Sequence, residues 1–285
     1  MKPAPSAPLL DELVWYLRGR STTVLTGAGV STASGIPDYR GPEGSLKKRS
    51  PVTISEFLRS EADRRRYWAR SCYGWPFMET RRPNAVHYAI TRLQSSGAVG
   101  AVITQNVDGL HQAAGTGRVL ELHGGLARVV CLQCGHRVDR RELQAEMLRL
   151  NPGWMEHSAE IAPDGDAELP RAVTENFTVP SCPVCNGILK PDVVFFGESV
   201  PGDRVAQAFA AVDAAEVLLV LGSSLTVYSG YRFADHAVKH GRTLAVVNQG
   251  PTRADELASI KLDARLEPVA EYLTRSLASG GHETP

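Results

Sequence analysis

Apolar and polar positions along the chain follow two rhythms. Short, nearly continuous apolar runs occupy Thr22–Thr26, Val99–Thr104, Val119–Leu122, Val193–Phe196, Val217–Leu221 and Thr243–Val247. Runs of this length predict strands buried on both faces. Between them, apolar residues recur about every 3.6 positions, which predicts helices. Leu9–Arg18 places Leu10, Leu13, Val14 and Leu17 on one face, and Asn84–Gln94 is entered through Pro83. Further helices are predicted over Asp108–Ala114, Asp203–Ala214, near Tyr231–His240 and near Val269–Leu277. Gly41–Arg82 carries short helical pieces and few strand signals. Strands alternating with helices predict an α/β fold, a Rossmann-like, doubly wound parallel sheet. Cys131 to Cys185 interrupts the alternation with a charged helix, Asp139–Leu150, and a loop rich in Pro, Gly and Asp. A smaller inserted module is expected there.

In such sheets ligands bind outside the carboxyl ends of the strands. Those ends carry GAGVS, TQNVDG, GSSLT and VNQG, four polar loops with glycine or asparagine. The first continues as GAGVSTASGIPDYR, Gly27 to Arg40. Its glycines suit a phosphate cradle, but Thr32 stands where the dinucleotide fingerprint needs glycine, and no lysine follows as a P-loop requires.

Composition narrows the classes. At 285 residues the chain is long enough for one large α/β domain and a satellite. Lys plus Arg number 31 and Asp plus Glu 31, so net charge is zero and the footprint of a nucleic-acid binder is missing. No run approaches the ~20 apolar residues of a membrane span. The N-terminal segment has neither signal-peptide nor transit character. A soluble, cytoplasmic protein is expected, with a monomer favoured and no nucleic-acid or membrane partner.

Five cysteines are present, four of them in two C-x-x-C pairs: Cys131 with Cys134, and Cys182 with Cys185. In a reducing compartment such pairs predict a tetrahedral all-thiolate zinc site before disulfides. Four protein ligands complete the shell, so the ion is expected to be structural. Cys72 reads as a packed thiol, and His136 is surplus to the shell.

A second cluster is TQNVDGLH, Thr104–His111, followed by ELHGG, Glu121–Gly125. Asn106 and Asp108 stand where a strand gives way to a helix, as caps or as binders of ribose hydroxyls and an amide. His123 lies just past a strand end facing the expected crevice. A neutral imidazole there suits a general base. His87 and His111, on helices, read as packing or capping residues. GSSLTV, Gly222–Val227, permits close backbone approach to phosphate or ribose, and Asn248 follows another buried strand.

Taken in order, GAGVSTASGIPDYR, TQNVDGLH, ELHG, the paired knuckles, PDVVFFGE and GSSLTV resemble the sirtuin family of NAD-dependent protein deacylases. The resemblance spans roughly Leu9 to Leu277. The segment RYWARSCYGWPFMETRRPNAVH is similar to the branch holding mitochondrial class II sirtuins and their bacterial relatives. The resemblance implies an NAD-binding domain over about 9–123 and 190–278. It also implies a zinc module over about 124–189 and a helical cofactor-loop region over about 41–82.

The resemblance further implies roles. Gly27, Ala28 and Gly29 would hold the NAD diphosphate through backbone amides, and Ile36 and Asp38 would border the nicotinamide pocket. Tyr39 would shield the reacting ribose carbon, and Arg40 would lie over the cofactor. Gln105, Asn106 and Asp108 would bind the nicotinamide ribose and carboxamide, with Asn106 and Asp108 beside His123 as catalytic residues. Gly222, Ser223, Ser224, Asn248, Gln249 and Gly250 would take the adenosine side. Leu266 would contact adenine, although DARLEPV departs from the family's Gly/Cys-containing loop. The acyl oxygen of a modified lysine would attack the ribose carbon as nicotinamide leaves, and His123 would then deprotonate a ribose hydroxyl. Free lysine, nicotinamide and O-acyl-ADP-ribose are the implied products. The substrate peptide would add as a strand between the FGE and SSLTV loops, touching Val194, Phe196 and Leu225. Tyr67-x-x-Arg70 is similar to a pair that binds succinyl carboxylates, but stands farther from PNAVH. A mono-ADP-ribosyltransferase with the same site is the alternative activity. A hydride-transferring dehydrogenase lacks its fingerprint.

Overall fold

The computed structural model describes residues 5–38, 52–157, 167 and 169–277. In chain order its elements are α1 (Ala7–Leu17), β1 (Thr22–Thr26), α2 (Ile54–Arg59), α3 (Glu61–Glu79), α4 (Ala85–Ser95), β2 (Ala101–Thr104), α5 (Leu110–Ala113), β3 (Val119–Glu121), β4 (Gly124–Cys131) and β5 (Arg137–Asp139). There follow α6 (Arg140–Leu150), α7 (Arg171–Thr174), β6 (Leu189–Val193), α8 (Gly202–Asp213), β7 (Val217–Leu221), α9 (Tyr228–Lys239), β8 (Thr243–Val247), β9 (Ile260–Leu262) and α10 (Leu266–Leu277).

Six strands form one sheet in the order β3-β2-β1-β7-β8-β9. Every pairing in it is parallel. Thr26 pairs with Thr104 on one side and Leu221 on the other, so the central strands end level. Strand order reverses between β1 and β7, which makes their shared carboxyl end the topological switch point. Alternate residues feed opposite faces. Val24, Val217, Leu219 and Leu221 pack with α1, α4 and α10. Leu25, Leu218 and Val220 pack with α8 and α9. Buried threonine hydroxyls in β1 find partners: Thr23 Oγ1 donates to the Ala211 carbonyl (2.8 Å), and Thr26 Oγ1 meets His111 Nε2 (3.0 Å).

A smaller body stands on a three-stranded antiparallel sheet, β5-β4-β6. Helices from two parts of the chain cover it, so Phe57 of α2 and Trp68 of α3 share a core with Met147 of α6, Trp154 and Phe177. The indole N–H groups are satisfied by the carbonyls of Leu189 (3.1 Å, from Trp68) and Ala69 (3.0 Å, from Trp154).

Three sequence expectations change. The strand expected at Val193–Phe196 lies earlier, at Leu189–Val193, and pairs with β4 in the small sheet instead of joining the parallel one. Pro191 disguised it, and it is tolerated because β6 is an edge strand. The short helical pieces expected before Arg82 include one long helix, α3, which runs through Pro76. Proline cannot bond the Cys72 carbonyl one turn back, and the Gln144 side-chain amide donates to that oxygen instead (2.8 Å). The last helix starts at Leu266, earlier than its apolar rhythm suggested, and buries that residue. No helix among the described residues is long and apolar enough to cross a membrane.

Candidate active site

A cavity of about 750 Å³ opens at the switch point, between the parallel sheet and the smaller body. Its floor is made by three glycines. A Cβ on Gly27 would stand 2.8 Å from the Gly222 carbonyl oxygen, and one on Gly29 would stand 2.9 Å from Gly222 Cα. Gly222 itself has φ +62°, and a Cβ there would meet Val30 N at 2.7 Å. The loops after β1 and β7 therefore touch backbone to backbone. Gly27 N–H donates to the Leu221 carbonyl (3.1 Å) and Gly29 N–H to that of Gly222 (2.9 Å). This alters the expectation that Gly27 and Gly29 offer their amides to phosphate. Both amides tie the two loops together, and Ala28 N–H is the one between them not so engaged.

Side chains from the β2 end brace this cradle. Ser31 Oγ donates to Asp108 Oδ2 (2.7 Å) and accepts from Asn106 Nδ2 (3.1 Å). Asn106 Nδ2 also donates to the Gly27 carbonyl (3.0 Å). Asp108 accepts from Leu110 N–H (2.9 Å) across Gly109, the N-cap of α5, closing an Asx turn. Burial raises the Asp108 carboxyl above its ordinary value, while the Ser31 and Leu110 donors oppose the rise. Gln105 Nε2 donates to Ser223 Oγ (2.8 Å), linking the β2 and β7 loops.

His123 sits where these elements converge. Its Nδ1 lies 2.9 Å from the Gln105 carbonyl oxygen and its Nε2 2.9 Å from Ser229 Oγ. A carbonyl only accepts, so Nδ1 carries the proton and the Nε2 lone pair faces the cavity side, taking the Ser229 hydroxyl hydrogen. Burial lowers the imidazole from its ordinary 6.5, with the charges of Arg204 and Arg232 adding to the effect and the Gln105 bond opposing it. The ring is held neutral, as a base requires.

The facing wall is the loop after β6. Val194 N–H donates to the His123 carbonyl (2.9 Å), and the Phe196 carbonyl accepts from Ile54 N–H (2.9 Å). Glu198 Oε2 accepts from Phe195 N–H (2.9 Å) and from the buried Lys190 ammonium (3.0 Å). This pair joins a buried ammonium to a half-buried carboxylate, and the hydrogen bonds both make to the backbone fix the loop shape.

Away from the cavity, the sulfurs of Cys131, Cys134, Cys182 and Cys185 lie within 4.8 Å of one another. Cys131 and Cys185 are 3.5 Å apart, and Cys134 and Cys182 3.7 Å. A tetrahedral zinc ion with ~2.3 Å bonds separates its sulfurs by about 3.8 Å. The tetrad fits a structural zinc ion. Gly135 (φ 70°) and Asn186 (φ 57°) supply the left-handed turns of the two knuckles.

Of the residues expected at the site, Gly27, Ala28, Gly29, Ile36, Asp38, Gln105, Asn106, Asp108 and His123 line the cavity, as do Val194, Phe196, Gly222, Ser223, Ser224, Asn248 and Gln249. Three do not. Leu225 has φ 52° and is buried in the core with Phe233, because its strained backbone turns the side chain away from the cleft. Leu266 backs the cradle from the core side, with Cδ1 only 2.8 Å from a Cβ built on Gly222. Gly250 serves its turn: φ is 88° and its N–H donates to Asp263 Oδ1 (2.8 Å). Tyr39 and Arg40 lie outside the described residues. Tyr67 lines the cavity, while Arg70 turns to the Ala167 carbonyl (2.6 Å). Sequence reasoning missed Ser31, Ser229 and Arg232. The serines were hidden among ordinary loop residues. Arg232 lies on a helix whose expected start, near Tyr231, fell short of Tyr228.

The Sir2 family model matches residues 27–229. An "NAD-dependent protein deacetylase" of Xanthomonas campestris pv. campestris (strain 8004) is 50% identical over 268 residues, covering 94% of this chain and 91% of its own. "NAD-dependent protein deacetylase 1" of Mycobacterium avium (strain 104) is 48% identical over 272 residues, covering 94% and 95%. Among solved structures, a Sir2 protein with a deacetylated p53 peptide and 3'-O-acetyl ADP ribose aligns with TM-score 0.76 and 32% identity, over 94% of this chain and 98% of the other. A Sir2 complex with a p53 peptide and NAD+ aligns with TM-score 0.72 and 30% identity, over 93% and 97%.

Proposed function

The chain belongs to the Sir2 family, and we propose on that premise that it is an NAD-dependent protein lysine deacylase. The acyl group passes from lysine to ADP-ribose, and nicotinamide is released. The observation that carries this reading is His123: a buried neutral imidazole with Nδ1 pinned to a carbonyl and Nε2 turned to a glycine-floored cleft.

The lining suits the dinucleotide in shape and chemistry, since the three-glycine contact leaves a floor that any Cβ would fill. NAD, when bound, supplies the labile nicotinamide–ribose bond and the ADP-ribose that accepts the acyl group. In this reading Ala28 N–H and the following turn face the diphosphate. Ile36 and Asp38 border nicotinamide. Gln105, Asn106 and Asp108 position the ribose and carboxamide, and Ser223, Ser224, Asn248 and Gln249 take the adenosine side. His123 accepts a proton from a ribose hydroxyl at Nε2, which requires Ser229 to yield its hydrogen bond. The Val194 carbonyl accepts from the acyl-lysine N–H, and exposed Phe196 flanks the entering side chain. The four cysteines hold zinc as scaffolding for the smaller body. Four unbridged cysteines suited to zinc and an NAD requirement support a reducing, cytoplasmic setting in this reading.

Incubation with NAD and an acetyl-lysine peptide, followed by mass spectrometry, tests the proposal. Deacetylated peptide, nicotinamide and O-acetyl-ADP-ribose in equal amounts are expected. ADP-ribose transferred to protein, with the peptide still acetylated, would replace the deacylase by a transferase.

A further inference from the structure

Arg232 follows Ser229 by three residues on α9 and so shares the face that meets His123. It is the only lysine or arginine among the described residues lining the cavity. Its Nε is buried without a hydrogen-bond partner. Among the described residues it forms no ion pair; the ring of Tyr228 lies 5.3 Å from its guanidinium carbon, and its charge reaches His123. Three acids also line the cavity, Asp38, Asp108 and Glu198; Asp108 is engaged with Ser31 and Glu198 with Lys190. An unpaired donor removed from water costs roughly 1–3 kcal/mol, more when charged. Such a group is retained most readily where a ligand completes it, and the guanidinium fork matches a carboxylate.

Position decides which carboxylate. Tyr228 is 58% exposed, and with exposed Val227 and Phe196 it forms the mouth of the cavity. Arg253 stands behind, 4.2 Å over the ring of Tyr231, adding a second positive charge to this rim. The far end is lined by Tyr67, Ser71 and Met78, and the phosphate floor by Gly27, Gly29 and Gly222. Arg232 therefore belongs to the rim that a polypeptide crosses.

We propose that Arg232 binds an acidic side chain of the substrate peptide next to the acyl-lysine, giving the enzyme a preference for acyl-lysines with Asp or Glu neighbours. This rests on the deacylase reading above. The guanidinium forms paired N–H···O bonds to the carboxylate, with Tyr228 stacked beneath it.

The test uses acetyl-lysine peptides that differ only in having Glu, Gln or Lys at the flanking positions. kcat/KM is measured by nicotinamide release at saturating NAD. The wild-type protein is expected to favour Glu over Gln roughly tenfold or more, as a charge-assisted bond implies. Arg232→Gln should bring that ratio close to one, and Arg232→Glu should move the preference to the Lys peptide. A gain on the Lys peptide cannot arise from misfolding. A Glu:Gln ratio unchanged in Arg232→Gln overturns the proposal. So does a raised KM for NAD that is equal for all three peptides, which would assign the arginine to a phosphate. An effect confined to lysines carrying a carboxylated acyl chain likewise overturns it. Turnover without acidic preference sinks this inference alone, whereas no turnover of any acyl peptide sinks the deacylase reading beneath it.

Discussion

The contact between Gly29 and Gly222 can be tested by one methyl group. Gly29 sits in the first turn after β1 without a positive φ, so alanine fits its backbone. The new Cβ, however, would lie 2.9 Å from both Cα and O of Gly222 and 3.2 Å from its carbonyl carbon. All three are backbone atoms, and no side-chain rotation relieves them. Overpacking of this kind costs about 1–3 kcal/mol. Alanine recovers about 0.4–1 kcal/mol by restricting the unfolded chain. The net loss lies within about 0–2.6 kcal/mol and centres on about 1.3 kcal/mol, which lowers the melting temperature by roughly 3–5 °C for a chain of this order. Parting the loops also displaces Ala28 N–H, so the KM for NAD should rise. Gly202→Ala is the control: its φ is not positive and a Cβ there meets nothing within 4 Å. Scanning fluorimetry of both variants, with and without NAD, checks the argument. A Gly29→Ala protein that melts at or above the wild-type temperature refutes it.

Two further outcomes follow from the geometry. Because burial holds the His123 pKa below its ordinary 6.5, the base is neutral above that lowered value and becomes protonated as pH falls through it. The midpoint of the kcat/KM profile should therefore lie below 6.5, with activity falling as pH drops through it, and a midpoint above 6.5 would contradict the burial argument. Chelation of zinc should unfold the smaller body, because four thiolates within 4.8 Å would be left to repel or oxidise. Circular dichroism and activity should fall together, and a chelated protein that remains folded and active would remove the scaffold role.

Much of the large sheet was legible in sequence because its strands are buried on both faces. TTVLT, VLLVL and TLAVV are continuous apolar runs, and their bounds in the structure match their bounds in the pattern. The smaller body was less legible. β4 mixes glycines with Arg128 and half-buried positions, β6 hides behind Lys190-Pro191-Asp192, and β5 has only three residues. The site divides the same way. His123, Asn106 and Asp108 declared themselves by lying at strand ends. Leu225 misled because nothing in SSLTV announces a left-handed backbone at a leucine, which turns that side chain inward. Ser229 and Arg232 escaped notice because their importance lies in the partner one gains and the other lacks, and neither is a property of local sequence.

The central claim is that the His123 imidazole removes a proton from the ligand inside the cleft. Its most direct test is the yield of O-acyl-ADP-ribose from NAD and acetyl-lysine peptide by His123→Ala, with folding and zinc content verified. A positioned general base contributes roughly 10²–10⁴-fold, so product formation should fall by at least about a hundredfold while the melting temperature stays near that of the wild type. Product formed at the wild-type rate by the folded, zinc-loaded variant would contradict the account.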